Sequence, residues 1–386
     1  MSAEAQKRVD QRKRAAFALC AGPLVLTLAA QTAPADMFGT GIAWPPRPPL
    51  INLLGLGGLG RMAYDSATPP KGPVKRVVLE EYRIDPGGPL RPPMLSSTLT
   101  TEFDELGREV GRLEVEGISE TRTVTGYRDG HIHVRDGTFK RDGKANAPDF
   151  WERWTHDEAG RVIDYRCGRG SDLENHFANV KYDRESRLTS FEYRQDPKDE
   201  LQSRTEYTYE DDGRTIREVE YDEKGERLRT WTMGLDQGRV IRVDFAERDW
   251  KSKEWKTPQR VGFRYDAKGR LVEQDAETDK LEGPGVEHAI PPGKVAISYD
   301  DTNQTRQSRY SDGSEQMNSV ARLDETGAIL AWGMSTGESG DATFQMVVDG
   351  TYDSRGNWTE CTRWQTTGAV RKMMGLWRRT INYRQD

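Results

Sequence analysis

Tyr265-Asp266-Ala267-Lys268-Gly269-Arg270-Leu271 is the stretch that decides the fold. Its aromatic residue ends a strand on the buried face. The aspartate opens a type I turn, with a carboxylate placed to accept backbone N–H groups two residues on. The glycine takes the left-handed conformation that closes the turn as a bulge. The chain then reverses, and the residue six after the aromatic faces the same core.

The unit recurs eight times. Its other copies begin at Phe103, His156, Tyr182, Tyr209, Tyr221, Leu323 and Tyr352. Its turn positions are Asp104 and Gly107, Asp157 and Gly160, Asp183, Asp222 and Gly225, Asp266 and Gly269, Asp324 and Gly327, and Asp353 and Gly356. Position six is apolar in five copies (Val162, Leu188, Leu271, Ile329 and Trp358) and polar in three (Glu109, Thr215 and Arg227). Between the turns, Arg204-Thr205-Glu206-Tyr207-Thr208-Tyr209 alternates with period two, as a half-buried strand does. Such a sequence is a repeat protein.

The aromatic-Asp-x-x-Gly-Arg unit resembles the YD repeat of the Rhs class, which Tyr265–Leu271 matches in full. The resemblance covers residues 99–386. It implies an all-β array of antiparallel β-hairpins forming an elongated, curled sheet, and an exported, surface-interacting habit. Large bacterial members wrap such a sheet into a shell around a C-terminal toxin. Eight units are expected to be too few to close a shell. The self-cleavage motif is missing near the C-terminus, since Asp85-Pro86-Gly87-Gly88-Pro89-Leu90 is imperfect and N-terminal. No toxin domain is expected after the last repeat.

Residues 1–35 read as a signal peptide. Lys7, Arg8, Arg12, Lys13 and Arg14 precede an uncharged apolar run from Ala15 to Ala30, and Ala33-Pro34-Ala35 supplies the cleavage pattern. The expected location is therefore the periplasm, the cell surface or the exterior, with membrane contact only through an uncleaved N-terminal segment. Residues 36–98 read as a Pro/Gly-rich linker with one short strand, Val74–Tyr82. Gly55-Leu56-Gly57-Gly58-Leu59-Gly60 matches a dinucleotide fingerprint, but Pro69-Pro70 and Gly72-Pro73 end any helix that would follow it. No cofactor is expected. Repeat arrays need a cover on each end, and Val74–Tyr82 or the last strand around Thr380–Tyr383 is placed to supply one.

Composition narrows the function classes. Lys+Arg 57 against Asp+Glu 63 gives a net charge of -6, so no basic surplus marks a nucleic-acid partner. Hydrophobic residues at 34% indicate a thin core. Cys167 and Cys361 remain after cleavage, either as a disulfide or as two buried thiols. His131-x-His133 places two imidazoles at a spacing a metal site uses, with His156 or His176 as further candidates. Cys167 with His176 would make a nucleophile–base pair, but no motif surrounds them.

Tryptophans offer flat faces for sugar rings, with Trp151, Trp154, Trp250 and Trp255 the leading candidates, although each also suits a thin hairpin core. The expected function is a non-enzymatic binding protein for an envelope or surface protein or polysaccharide. A neutralising (immunity) protein for an envelope-acting toxin is the first alternative. A metal-dependent hydrolase on a β scaffold is the second.

Overall fold

The computed structural model describes residues 42, 44–45, 70–84, 92–145, 149–195, 198–249, 252–255, 259–277, 293–311, 316–324, 329–336, 345–367 and 370–384. The fold is all-β and antiparallel. β1 (Val74–Arg83), β2 (Met94–Phe103), β3 (Glu109–Glu116), β4 (Ser119–Arg128) and β5 (His131–Arg141) follow one another as neighbours. β6 (Lys144–Ala145) pairs only β5, and β7 (Phe150–His156) carries the sheet on from β5.

The sheet then runs in chain order. It continues through β8 (Val162–Arg169), β9 (Asp172–Tyr182), β10 (Leu188–Gln195), β11 (Glu200–Glu210), β12 (Thr215–Asp222), β13 (Arg227–Asp236) and β14 (Arg239–Glu247). Next come β15 (Gln259–Tyr265), β16 (Leu271–Glu277), β17 (Gly293–Asp300), β18 (Thr305–Ser311) and β19 (Gln316–Leu323). β20 (Ile329–Thr336), β21 (Met346–Tyr352), β22 (Trp358–Thr367) and β23 (Val370–Tyr383) complete it.

The elongated, curled sheet expected from the sequence is corrected here: β1 pairs β23 and closes a 22-strand barrel. Eight recognisable units do suffice, because strands without the motif fill the ring between them. Val78 lies opposite Thr100 of β2 and Thr380 of β23, and Val77 opposite Ile381. The two segments expected to cap the array therefore cap each other. The barrel takes in Val74–Arg83 and Met94–Phe103, which the sequence reading gave wholly or partly to a linker. The proposed signal peptide and the Gly55–Gly60 fingerprint lie outside the described residues.

One interaction is repeated along the barrel. In the Tyr182 copy, Asp183 Oδ1 accepts the N–H groups of Glu185 (3.0 Å) and Arg187 (2.8 Å), and Oδ2 accepts Arg187 Nε (2.7 Å). Asp104, Asp157 and Asp266 make the same three bonds. Asp222 makes the two backbone bonds alone, since Glu226 stands in the arginine's place. The glycine slot has positive φ in every copy where it is described, including Ser186 (φ 64) in place of glycine. Leu323 ends its strand as expected, while the turn residues after Asp324, Gly327 included, lie outside the described residues.

Each clamped arginine also reaches the next repeat. Arg108 lies over Tyr127 (4.3 Å), Arg161 over Tyr182 (4.8 Å), Arg187 over Tyr209 (4.4 Å) and Arg270 over Tyr299 (4.1 Å). The tyrosine hydroxyl donates to the carbonyl just after that arginine: Tyr182 to Val162 (2.8 Å), Tyr209 to Leu188 (2.9 Å), Tyr127 to Glu109 (2.9 Å). Turn and neighbouring hairpin are thus locked together by charge, ring and hydrogen bond.

At the seam the segment before β1 and the end of β23 enter the same device. Asn357 replaces the arginine; its side chain accepts from Lys71 N (2.6 Å) and donates to the Lys71 carbonyl (3.1 Å) and to Tyr383 Oη (2.6 Å). Tyr383 in turn donates to Asp353 Oδ2 (2.5 Å).

Antiparallel order puts the Asp104, Asp157, Asp183, Asp266 and Asp353 turns on one rim, the clamp rim. Asp222 alone turns at the far rim. All five apolar position-six residues are at most 5% exposed, as the register argument requires. Val162, Leu188 and Leu271 share one cluster with Ile216, Met233, Val243, Val261 and Val295, whereas Trp358 packs in a second one with Val348 and Cys361. Ile42 and Trp44 are buried in the first, Trp44 standing edge-on to Phe177 (6.1 Å) and Phe191 (5.1 Å).

Among the described residues the ladder between β20 and β21 has two residue pairs, Ala331 with Val347 and Trp332 with Met346. Amides of β20 and β21 are expected to exchange with deuterium faster than those of β11 and β12, which share eight pairs. Asp183→Ala removes three acceptor contacts and is expected to cost about 2 kcal/mol in urea unfolding. A loss below about 0.5 kcal/mol would show the clamp to be dispensable.

Candidate functional site

The residues singled out in the sequence do not assemble into one site. Trp154 is core, and Trp151, three residues away on the same strand, points to the opposite face, where its Nε1 donates to the Gly170 carbonyl (3.0 Å). Trp255 is exposed beside β14, with Arg227 over its ring at 4.6 Å. Trp250 lies outside the described residues. No continuous tryptophan strip joins these positions, because period-two alternation separates side chains an odd number apart.

A bulge defeats the histidine pair. Gly126 faces Val134 but Tyr127 faces Ile132, so His133 is an extra residue and the simple alternation from His131 is broken. His133 Nδ1 bonds the Trp154 carbonyl (3.0 Å), whereas His131 stacks on His156 (5.0 Å). Burial, then the two neighbouring imidazoles, hold His156 below the usual histidine range. Among the described residues no group of three or more His, Cys, Asp or Glu has metal-site geometry.

Cys167 on β8 and Cys361 on β22 are both buried and are not joined by a disulfide. They sit on strands far apart round the ring, even after the β1–β23 pairing closes it. Burial pushes the Cys361 thiol up to about 12. Cys167 faces Asn175, one residue off from His176, so these two side chains leave opposite faces of the sheet.

His176 has a different role, which the sequence did not reveal. It is buried between two carboxylates: Nε2 meets Asp164 Oδ2 and Nδ1 meets Asp199 Oδ1, each at 2.7 Å. Burial opposes its charge, but the bonds to Asp164 and Asp199 outweigh that and raise its pKa. Asp164 is lowered: burial acts against it, and the bonds from His176 and Arg166 prevail. The imidazolium pins the β10–β11 turn, which carries Asp199, onto β8 and β9.

An open surface lies at the far rim, around the barrel seam. β1 pairs β23 no further than Tyr82 with Leu376. Residues 370–375 of β23 are therefore paired on one edge only, to β22, among the described residues. Five of the ten large apolar side chains exposed by the described residues gather at this rim: Met94, Leu95, Ile118, Val370 (67% exposed) and Met374. Arg371 and Lys372 stand beside them, Arg371 bonded to Asp349 (2.9 Å) and lying over Trp364 (5.0 Å). On β22 the buried Arg363 Nε, Trp364 Nε1 and Thr366 Oγ1 have no hydrogen-bond partner among the described residues. The sequence marks this strand only by the basic residues Arg371, Lys372, Arg378 and Arg379; its place at the edge is set by strand register.

The histidine tie yields a signed pH dependence. Because His176 is raised on folding, its contribution is complete below the unfolded histidine pKa and disappears as pH rises through the folded value. Asp164 contributes above its unfolded pKa and loses that contribution as pH falls through its folded value. His176→Gln is expected to cost about 2 kcal/mol at pH 6 and less at pH 9. Equal losses at both pH values, read by urea unfolding, would show the tie to be uncharged.

No protein-family profile matches the sequence, and no curated protein matches it. Among solved structures, the chain is similar to a porin-like protein from Bacteroides uniformis (11% identity, TM-score 0.29), over 81% of this chain and 99% of that one. It is also similar to a eukaryotic initiation factor at 9% identity and TM-score 0.22, over 80% and 98% of the two chains. At these TM-scores neither likeness bears on what the protein does.

Proposed function

We propose that the chain is an exported, non-enzymatic barrel of YD-like repeats that binds a protein of the cell envelope or surface. One observation carries this reading: among the described residues the Val370–Gly375 edge is paired on one side only, at a rim that also exposes Met94, Leu95 and Ile118. A strand edge supplies backbone donors and acceptors for an extended segment, and flanking apolar residues supply side-chain contact. Exposed Met94, Leu95, Ile118, Val370 and Met374 at this rim offer apolar surface to such a partner. Periplasmic or surface location follows from the N-terminal signal pattern.

The exposed faces of β11–β17 favour an aqueous setting for the barrel wall. Arg204 pairs with Glu206 (3.2 Å), Asp244 with Arg242 (2.7 Å) and Arg260 (2.8 Å), and Glu273 with Arg264 (2.8 Å) and Lys294 (3.1 Å). A lipid-spanning barrel presents an apolar band in that position. The polysaccharide form of the reading loses ground with the dispersal of Trp151, Trp154 and Trp255. A neutralising protein would use the same rim against a single toxin.

The test compares the full-length protein with a Val370→Asp/Met374→Asp variant in capture from envelope extract, with and without protease treatment. A stoichiometric protein recovered by the parent and lost from the variant supports the rim. Equal recovery by both moves the binding surface elsewhere. Material retained after protease treatment would favour polysaccharide instead.

A further inference from the structure

Arg306 on β18 is a charge in the wrong place for a protein interior. It is only 6% exposed, and among the described residues its Nε has no hydrogen-bond partner. Its cross-strand neighbours on the buried face are Tyr299 of β17 and Ala321 of β19. Neither is an acid. Tyr299 is already committed, with its hydroxyl on the Leu271 carbonyl (3.3 Å) and its ring under Arg270 (4.1 Å).

Other buried-face arginines in this barrel have company. Arg135 bonds Glu152 at 3.0 Å, and Arg379 lies over Trp358 at 5.1 Å. A guanidinium without an anion inside a protein is strongly disfavoured, so a retained one implies a counter-charge when the protein is in use. Burial without an acid to offset it pulls Arg306 down to about 10.

The surroundings suit a small anion. Ala321, opposite Arg306, has a one-carbon side chain and brings no charge or hydrogen-bonding group of its own. The next rung on the same face is Ser308 with Ser319, their hydroxyls 2.6 Å apart. Hydroxyls next to a planar five-donor fork form a wall of hydrogen-bonding groups, and that fork matches the paired oxygens of a carboxylate or phosphate.

We propose that Arg306, with Ser308 and Ser319 beside it, binds an oxyanion, a carboxylate or phosphate group, inside the barrel. This site is separate from the far rim and stands whether or not the rim binds a partner.

The test is calorimetric titration of the full-length protein with inorganic phosphate and, separately, with acetate, at constant ionic strength set by chloride. Binding of either anion is expected, and the tighter one identifies the group. Arg306→Gln should weaken it by at least about tenfold, the equivalent of one charge-assisted hydrogen bond. Arg306→Lys should keep more of the affinity than Arg306→Gln does. If Arg306→Gln fails to fold, Ser308→Ala with Ser319→Ala replaces it, with a several-fold weakening expected. No binding of either anion by the parent, or unchanged binding in the variants, overturns the proposal.

Discussion

The Asp–Arg–Tyr clamp is the interaction on which the rest of this barrel depends. A β-hairpin in isolation is marginal, and a single-layer wall offers each hairpin little apolar area. The clamp supplements that area at the point where it is weakest, the turn. Asp183 fixes the turn backbone and Arg187 together, Arg187 covers Tyr209, and the Tyr209 hydroxyl returns to the carbonyl of Leu188. Every link is local to two adjacent hairpins, so the device is repeated without regard to the length of the strands between.

That locality explains how an irregular series of copies makes a regular ring. Asn357 has no guanidinium, yet it occupies the same place at the seam and binds Lys71, just before β1, and Tyr383, at the end of β23. Closure thus uses the repeat's own chemistry with one substitution. Among the described residues the β20–β21 joint lacks this help and has two residue pairs. Stability round the barrel is therefore uneven, and the least secure strands lie next to the hairpin with the open edge.

Much of this was legible in the residues themselves. Asp266, Gly269 and Leu271 announce their roles because turn geometry and strand alternation act over six residues. The Tyr299-Asp300 turn was not recognised, since Asn303 and Gln304 replace glycine and arginine. There Asp300 binds Thr302 N and Asn303 N at 3.0 Å each, and Gln304 takes the positive φ. His131 and His133 misled because a bulge, invisible in composition, inserts one residue between partners. His176, Asp164 and Asp199 gave no signal, being joined only by strand register and a folded-back turn.

The sequence by itself determined that the chain is a succession of antiparallel hairpins, where many of the turns lie, and which residue of most copies enters the core. Those features rest on contacts between near neighbours in the chain. Only the tertiary structure decided that the array closes, that Val74–Arg83 is its closing strand, and that Arg306 lies buried with no acid opposite it. These depend on accumulated twist and on pairing between residues about three hundred positions apart, such as Val77 and Ile381. No local pattern encodes that sum.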